Sequence, residues 1–352
     1  MIGEASPTCA SDSQSYHVLR VLVIFTMATG NAWRMPQDHY IARTYLKHWG
    51  DPERKHLMYS YQKSGLKEFV CKPADVCREW NGDLNEKYFK KNPTILGQLR
   101  TIFEKNWNAA IEQLKKKSIS ANDKFILSGY WAHLITCTPQ WRATGVQMLE
   151  EQLRQLMHFL AKRKLKDVPF DAALMSSLLN DGKIKAVADP DFIKAMVTTQ
   201  LLHIAWVLYN QAWTVLENDT GIPFVTSDNP CSIFPDQPIG QPTTRLLPVT
   251  PRLALLASLD ERNLPAKKID LKLRPNGSVS GKSTTKSQVK SLNRITVMNA
   301  EQLVFCPYKD DGIARLVAKY RNHKVRVQHF HKPIGAHDGY YQGVELYVGG
   351  LE

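Results

Sequence analysis

The sequence lacks the patterns that identify several large classes of protein. Its six cysteines are scattered, without CxxC pairs or the dense spacing of a disulfide framework. The apolar stretch from Val21 to Ala28 is too short to cross a bilayer, which needs about 20 residues. HExxH, GxSxG and EF-hand patterns are absent, so zinc-protease, α/β-hydrolase and calcium-sensor functions have no motif support. We therefore expect a protein of a reducing compartment, the cytoplasm, with no membrane partner.

What is present is an ordinary globular composition with an excess of positive charge. The 352 residues are 43% apolar and 22% charged, which excludes collagen-like and disordered chains. Lysine and arginine outnumber acidic residues by 46 to 33, a net charge of +13. Such an excess favours polyanionic partners. We expect nucleic acid or another polyanion as partner, with a protein partner as the alternative, and no motif identifies a cofactor.

The first 34 residues differ from the rest, because a polar stretch containing Glu4 and Asp12 precedes the short apolar one. A signal peptide was the alternative, but this long polar lead-in is atypical of one. We expect residues 1–34 to be an extension, disordered or outside the native protein, with Met35 as the natural start. Residues 35–352 are then predicted to form a single α+β domain.

Local patterns divide that domain into three parts. In residues 35–91, alternating apolar residues around Lys63-Ser64-Gly65 predict a β-hairpin. In residues 92–210, four capping signals predict helix starts, at Asn92-Pro93, Ser120 with Asp123, Thr138-Pro139 and Asp189-Pro190. Residues 211–352 contain short β-type runs, with a hairpin turn predicted at 218–221. The prediction is a helical middle region packed on a mainly antiparallel, β-rich second half.

Two tempting ligand sites are better explained otherwise. In GSVSGKST, Gly277 lies one residue too close to Gly281 for the spacing of a phosphate-binding loop. His329 and His331 fall on one face of a predicted strand, as two metal ligands would. Basic residues surround them without an acidic or cysteine ligand nearby in sequence, so a solvated basic strand is favoured and no metal site is predicted.

Two short segments carry side chains that chemistry could use. Asp38-His39-Tyr40 is followed closely by Arg43 and Tyr45, and Thr226-Ser227-Asp228-Asn229-Pro230 comes just after a predicted strand. Strand ends commonly present site residues. Each segment alone is also explained by an ordinary turn. His203 lies in an apolar helix, where a satisfied core histidine is the simpler interpretation and a pocket-lining imidazole the alternative.

The same segments resemble domain-of-unknown-function family 4238. The pieces that carry the resemblance are His39-Tyr40-Ile41-x-x-x-Tyr45-Leu46, Phe224-Val225-Thr226-Ser227-Asp228-Asn229-Pro230, Leu247-Pro248-Val249-Thr250-Pro251 and the helical segment ending in Thr138-Pro139-Gln140-Trp141-Arg142. They span residues 36 to about 310 in the family's order. Ala42 stands where the family signature has proline, and Cys137 replaces the arginine of its Arg-Thr-Pro, for which Arg142 is a possible substitute. The resemblance implies a bacterial-type intracellular protein and supplies no activity.

We hypothesise that His39, Asp228 and Asn229 form a catalytic cleft between the N-terminal segment and the β-rich half. The residues predicted to bind substrate are Arg43, Tyr45, Arg142, His203, Ser227 and Arg245. A histidine can transfer protons near neutral pH, and arginine can hold an anionic group. With the basic charge, this suggests a nucleic-acid-directed, phosphodiester-cleaving enzyme.

Two other functions remain open at this point. A non-catalytic binding or effector module would have Asp228 buried and satisfied by backbone amides, with no histidine within hydrogen-bond reach. A peptide or small-molecule hydrolase would need a nucleophile paired with a base, for which Ser227 beside His39 is the candidate.

Overall fold

The computed structural model of the protein describes residues 37–162, 187–235, 244–258, 278–333 and 340–350, with five isolated positions between 174 and 183. From Pro36 onward the chain forms one compact unit. The expectation for residues 1–34 lies outside the described residues, and so do the side chains of His329 and His331.

The N-terminal segment contributes strands to two sheets. Strand β1 (Gln37–His39) pairs antiparallel with β4 (Arg78–Trp80), and the short helix α1 (Arg43–Leu46) follows β1. Strands β2 (Met58–Gln62) and β3 (Glu68–Cys71) form an antiparallel hairpin. This confirms the hairpin predicted from the alternation of apolar residues.

In its described part, the middle of the chain contains four long helices: α2 (Ile95–Lys115), α3 (Ala121–Thr136), α4 (Pro139–Lys162) and α5 (Pro190–Asn210). The predicted starts of α3, α4 and α5 are confirmed. Ser120 and Asp123 form a reciprocal capping box, and Asp189 accepts a hydrogen bond from the Asp191 amide. The start of α2 was predicted two residues early. The Asn92 side chain bonds Gln98 instead of a helix amide, so Thr94 is the N-cap.

Helix α3 is the centre of the fold, since every residue from Ile126 to Thr136 is buried. It packs against α2 and α5, and Trp131 contacts Trp213 of the sheet edge-on, with ring centroids 5.7 Å apart. Its approach to α2 depends on Gly129, because a Cβ there would lie 2.0 Å from a ring carbon of Phe103. A polar substitution in α3 would therefore disturb the main core.

Two sheets and a strand pair make up most of the second half. The five-stranded sheet has the order β10-β5-β9-β8-β7, and the four-stranded sheet the order β3-β2-β11-β6. Their remaining strands are β5 (Ala212–Glu217), β6 (Thr226–Ser227), β7 (Ser232–Ile233), β8 (Arg245–Thr250), β9 (Leu253–Ser258), β10 (Val279–Ser283) and β11 (Leu303–Cys306). Strand β12 (Lys324–Pro333) pairs with β13 (Tyr340–Gly349). All pairings among the described strands are antiparallel except β10 with β5, which confirms the predicted α+β class.

The second half differs from its prediction in two places. It contains two helices, α6 (Lys286–Asn299) and α7 (Asp311–Lys319), which were expected to be β-type or irregular. The turn at 218–221 does not join a hairpin, because β5 and β6 belong to different sheets. Buried Asn218 donates hydrogen bonds to the carbonyls of Ile222 and Pro251, and this holds the chain in its passage between the sheets.

In the described part of the chain, α5 alone is long and apolar enough to cross a membrane by length and composition. Its inner face, which includes Ile193, Val197 and Leu201, is buried in the core. Core helices of globular proteins meet the same criterion, so this helix is weak support for a membrane span.

Candidate functional site

The Asp228 carboxylate is engaged by backbone amides. Asp228 follows β6 and is only 5% exposed. One carboxylate oxygen accepts a hydrogen bond from the Glu301 amide at 2.9 Å, and the other accepts from the amides of Gln302 and Leu303 at 2.8 and 3.0 Å. These three donors come directly after α6. Asp228 therefore fixes the turn between α6 and β11.

Lys63 is a second buried charged residue that holds this region. The residue is 2% exposed, and its ammonium donates to the carbonyls of Val297, Ala300 and His323 at 2.9, 2.6 and 2.5 Å. Burial lowers the pKa of Lys63 to about 8, although Asp228 and Glu301 oppose that shift. A cation that receives carbonyls from the end of α6 also complements the helix dipole.

Burial raises the pKa of Asp228 to about 6, against the three backbone hydrogen bonds that lower it. The carboxyl group is therefore mostly ionised at pH 7. Its charge is felt in the N-terminal segment, where burial and the Cys77 thiol raise the pKa of Tyr40 and Asp228 adds to the effect.

Ser227 and Asn229 are also engaged with the backbone. The Ser227 hydroxyl accepts from the Asn229 amide at 3.2 Å, and the Asn229 side chain donates to the Asn299 carbonyl at 3.0 Å. The Asn299 side chain in turn bonds both the amide and the carbonyl of Ile233. We call Lys63, Ser227, Asp228, Asn229 and Asn299 the α6 anchor, because together they fix the C-terminal end of that helix.

Tyr45 is a structural link next to the anchor. Its hydroxyl lies 2.6 Å from the Thr226 hydroxyl and donates to the Pro248 carbonyl at 2.5 Å. The side chain is fully buried, and burial raises its pKa well above the ordinary range. Tyr45 therefore joins α1 to β6 and β8 as a neutral group. Arg43, two residues earlier, is exposed.

A small polar pocket lies where β1, β4, α2, α4 and α5 meet. We call it the N-terminal pocket; its lining residues are Asp38, Tyr40, Glu79, Gly82, Asp83, Leu96, Cys137, Arg142, Lys194 and Val197. Its volume of about 10 Å³ is enough for roughly one water molecule. A larger ligand would have to bind across its mouth or displace a side chain.

The cations around the N-terminal pocket are already partnered. Arg142 contacts both carboxylate oxygens of Glu79, at 2.7 and 2.5 Å, and Arg100 lies 2.6 Å from Asp83. Lys194 donates to the carbonyls of Asn81 and Leu84. A substrate anion would have to compete with these partners.

His39 lies beside the pocket but does not line it. Asp38 and Tyr40 do line it, as expected where successive side chains of an extended segment point to opposite sides. The His39 Nε2 donates to the Ala74 carbonyl at 3.2 Å. Burial lowers the pKa of His39, and nearby arginines lower it further, although the bond to Ala74 opposes them. His39 is therefore neutral at pH 7.

A histidine–cysteine pair at the end of α3 was not predicted from the sequence. The Cys137 sulfur lies 2.9 Å from Nδ1 of His133, one helical turn earlier. Burial raises the pKa of Cys137 to about 12 and lowers that of His133 to about 3. Both groups are therefore neutral, and this is not an activated thiolate. The four-residue spacing was the signal that could have identified the pair.

The last two predicted residues lie elsewhere. His203 is exposed on α5, so the core position favoured for it was wrong: the residue falls on the solvent side of a helix whose other face is buried. Arg245 begins β8 opposite Ile233, and burial lowers its pKa while Cys231 opposes the shift.

The structure thus brings Ser227, Asp228 and Asn229 together, with Tyr45 nearby, and places Arg142 at the N-terminal pocket, from which the His39 side chain points away. Among the hydrogen bonds of the described residues, none joins His39 to Asp228 or to Ser227. Over the same residues, no group of three or more histidine, cysteine, aspartate or glutamate side chains is placed to hold a metal ion.

Comparison with known proteins identifies a family without an assigned activity. Residues 37–310 match the family described as "Protein of unknown function (DUF4238)". No curated protein and no solved structure matches the chain.

Proposed function

This chain belongs to the DUF4238 family, and because that family's description names no activity, we propose from the site itself that the protein is a non-catalytic nucleic-acid-binding module. The observation that carries this proposal is the engagement of Asp228, whose two carboxylate oxygens are occupied by three backbone amides. Asn229 and Ser227 are engaged in the same way. These groups support the fold, and the net charge of +13 is left as the feature that selects a partner.

The same proposal places the protein in the cytoplasm. All five cysteines in the described part of the chain are free thiols, and four of them are buried. Unpaired thiols are typical of a reducing compartment, which supports the cytoplasm.

A second candidate is cleavage of a phosphodiester backbone, and one observation favours it. The imidazole of His39 is neutral, and Arg78 lies directly opposite it on β4, where a cation could hold a phosphate. A neutral histidine can accept a proton from an attacking water or hydroxyl group. In this candidate His39 would transfer protons without Asp228.

The test is nucleic-acid binding by the full chain, measured by fluorescence anisotropy as salt rises from about 50 to 200 mM. We expect binding that weakens steeply with salt, with no cleavage products on a denaturing gel. Absence of binding at the lowest salt would refute the proposal and favour a protein partner.

The same samples separate binding from cleavage. His39→Ala is compared with His48→Ala, a half-buried histidine of the same segment whose Nε2 lies 3.0 Å from the Asn108 side-chain oxygen. Cleavage by the wild-type protein that is lost in His39→Ala and kept in His48→Ala would establish the enzyme instead of the non-catalytic module.

A further inference from the structure

The exposed face of α6 carries positive charge only. Lys286, Lys290 and Arg294 are four residues apart and all exposed, and the helix from Lys286 to Asn299 contains no acidic residue. Residues at this spacing lie above one another on the same face. The helix therefore presents a stripe of three cations to solvent.

The positions of these three cations are electrostatically unfavourable for the helix itself. Like charges four residues apart repel each other, and a cation in the first turn opposes the helix dipole. No ion pair of the described structure includes any of the three side chains. Since the arrangement costs stability within the protein, a polyanionic partner is the environment that would make it favourable.

One further lysine precedes the stripe at its N-terminal end. Lys282 is exposed on the edge strand β10, four residues before α6 begins. The neighbouring Gly281 points to the opposite face of that strand, where a Cβ would lie 3.9 Å from the Lys117 side chain, so Lys117 is not part of the stripe. Lys117 instead neutralises Glu217, with a nitrogen–oxygen distance of 2.8 Å.

We call Lys282, Lys286, Lys290 and Arg294 the α6 basic surface.

The inner face of α6 is fixed at both ends, so the charges stand at constant spacing. Asn293 accepts from the Val225 amide and donates to the Pro223 carbonyl, and Val289 is fully buried. The α6 anchor holds the C-terminal end. Each four-residue step advances the charges by about 6 Å along the helix. The three charges therefore span about 12 Å of helix, and a duplex strand carries one phosphate about every 3.4 Å along its axis, so the stripe is long enough to face several phosphates.

We propose that the α6 basic surface binds the phosphate backbone of double-stranded nucleic acid without base-sequence preference; this rests on the proposed nucleic-acid-binding function. Exposed Ser287 and Ser291 add hydroxyl donors of the kind that contact phosphate. Helix α6 contains no aromatic residue, so it offers no platform on which the bases of a single strand could stack.

The test compares two triple variants of the full chain with the same change in charge. Lys286→Gln, Lys290→Gln and Arg294→Gln remove the stripe. The control, Lys72→Gln, Lys90→Gln and Lys105→Gln, removes three exposed lysines from the N-terminal segment and α2. Binding of a duplex of arbitrary sequence and of its single strand is followed by fluorescence anisotropy across salt. The melting temperature of each variant confirms that it is folded.

We expect the stripe variant to lose about 100-fold in duplex affinity near 0.15 M salt and to reduce the log–log salt slope by about 2.7, while the control stays close to the wild type. Lys286→Arg with Lys290→Arg keeps the charge and should bind normally. If the stripe variant and the control lost duplex affinity equally, the α6 basic surface would not be the binding site, although nucleic-acid binding itself would stand. Tighter binding of the single strand than of the duplex would refute double-stranded nucleic acid as the ligand. A wild-type protein that binds neither would refute the proposed function itself.

Discussion

Replacing Asp228 by alanine removes the only acceptor that the structure gives to three backbone amides, those of residues 301 to 303. Each amide is partly buried, and an amide that loses its partner costs about 1 kcal/mol, so the three together cost about 3 kcal/mol. The variant also removes a buried charge, which relieves a desolvation cost. It leaves the buried ammonium of Lys63 without that carboxylate, which is unfavourable, so these two effects oppose each other. We expect a net destabilisation of about 3 kcal/mol at pH 7.

The pH dependence provides a second signature of the same carboxylate. The folded-state pKa is raised from 3.8 to about 6, so between these values the native state binds the proton more tightly than the unfolded state. Stability from this group is therefore highest below pH 4, falls by about 3 kcal/mol as pH rises to 6, and is constant above that. Asp228→Ala should lack this component, which makes its destabilisation larger at pH 4 than at pH 7.

The assay is urea unfolding of the wild type, Asp228→Ala and the control Asp219→Ala at pH 4, 5, 6 and about 7, read by tryptophan fluorescence. Asp219 is exposed, and its side chain accepts none of the hydrogen bonds of the described structure, so its substitution should change stability by less than about 0.5 kcal/mol. If Asp228→Ala lost less than about 1 kcal/mol at pH 7, the carboxylate would not be holding the turn. It would then again be a candidate for catalysis.

Three further changes probe the neighbouring contacts. Tyr45→Phe leaves two buried oxygens without their partner and should cost about 2 kcal/mol in urea unfolding, whereas Tyr59→Phe, on an exposed hydroxyl, should cost little; equal effects would contradict the link. The folded-state pKa of Lys63 is lowered from 10.5 to about 8, so wild-type stability should rise by about 3 kcal/mol between pH 8 and 10.5 relative to Lys63→Met, and parallel pH curves would refute this. Gly97→Ala places a Cβ 2.8 Å from the Asp83 carboxylate, so it should lower the melting temperature despite the helix preference of alanine.

Much of the fold could be predicted because its signals are local. Capping side chains identified the starts of α3, α4 and α5 within a few residues of sequence. Helix α6 had an equally local signal, the capping box of Thr285 and Gln288, and was missed because the surrounding serines and threonines resemble a loop. The hairpin predicted at 218–221 was wrong for another reason. The sheet to which each flanking strand belongs is decided by partner strands that are distant in sequence.

The candidate site was less predictable because its contacts are distant in sequence. The amides that bind Asp228 lie more than 70 residues later, and backbone amides carry no residue-specific signal. Strand position suggested that Asp228 faces a cleft, but only the folded chain shows that Tyr40, one residue past His39, is the neighbour that feels its charge. The basic excess was visible as composition, whereas the meeting of Lys117 with β10 was not.

The pairing of β2 with β11 has a consequence for how the chain folds during synthesis. Tyr59 lies opposite Cys306, so the β2–β3 hairpin emerges from the ribosome about 250 residues before the strand that covers its open edge. Because the ribosome adds about 5–20 residues per second, the edge of β2 stays uncovered for some tens of seconds. An uncovered strand edge is a template for pairing with other chains. The period in which a nascent chain is most exposed to aggregation is therefore set by the distance between these two strands along the sequence.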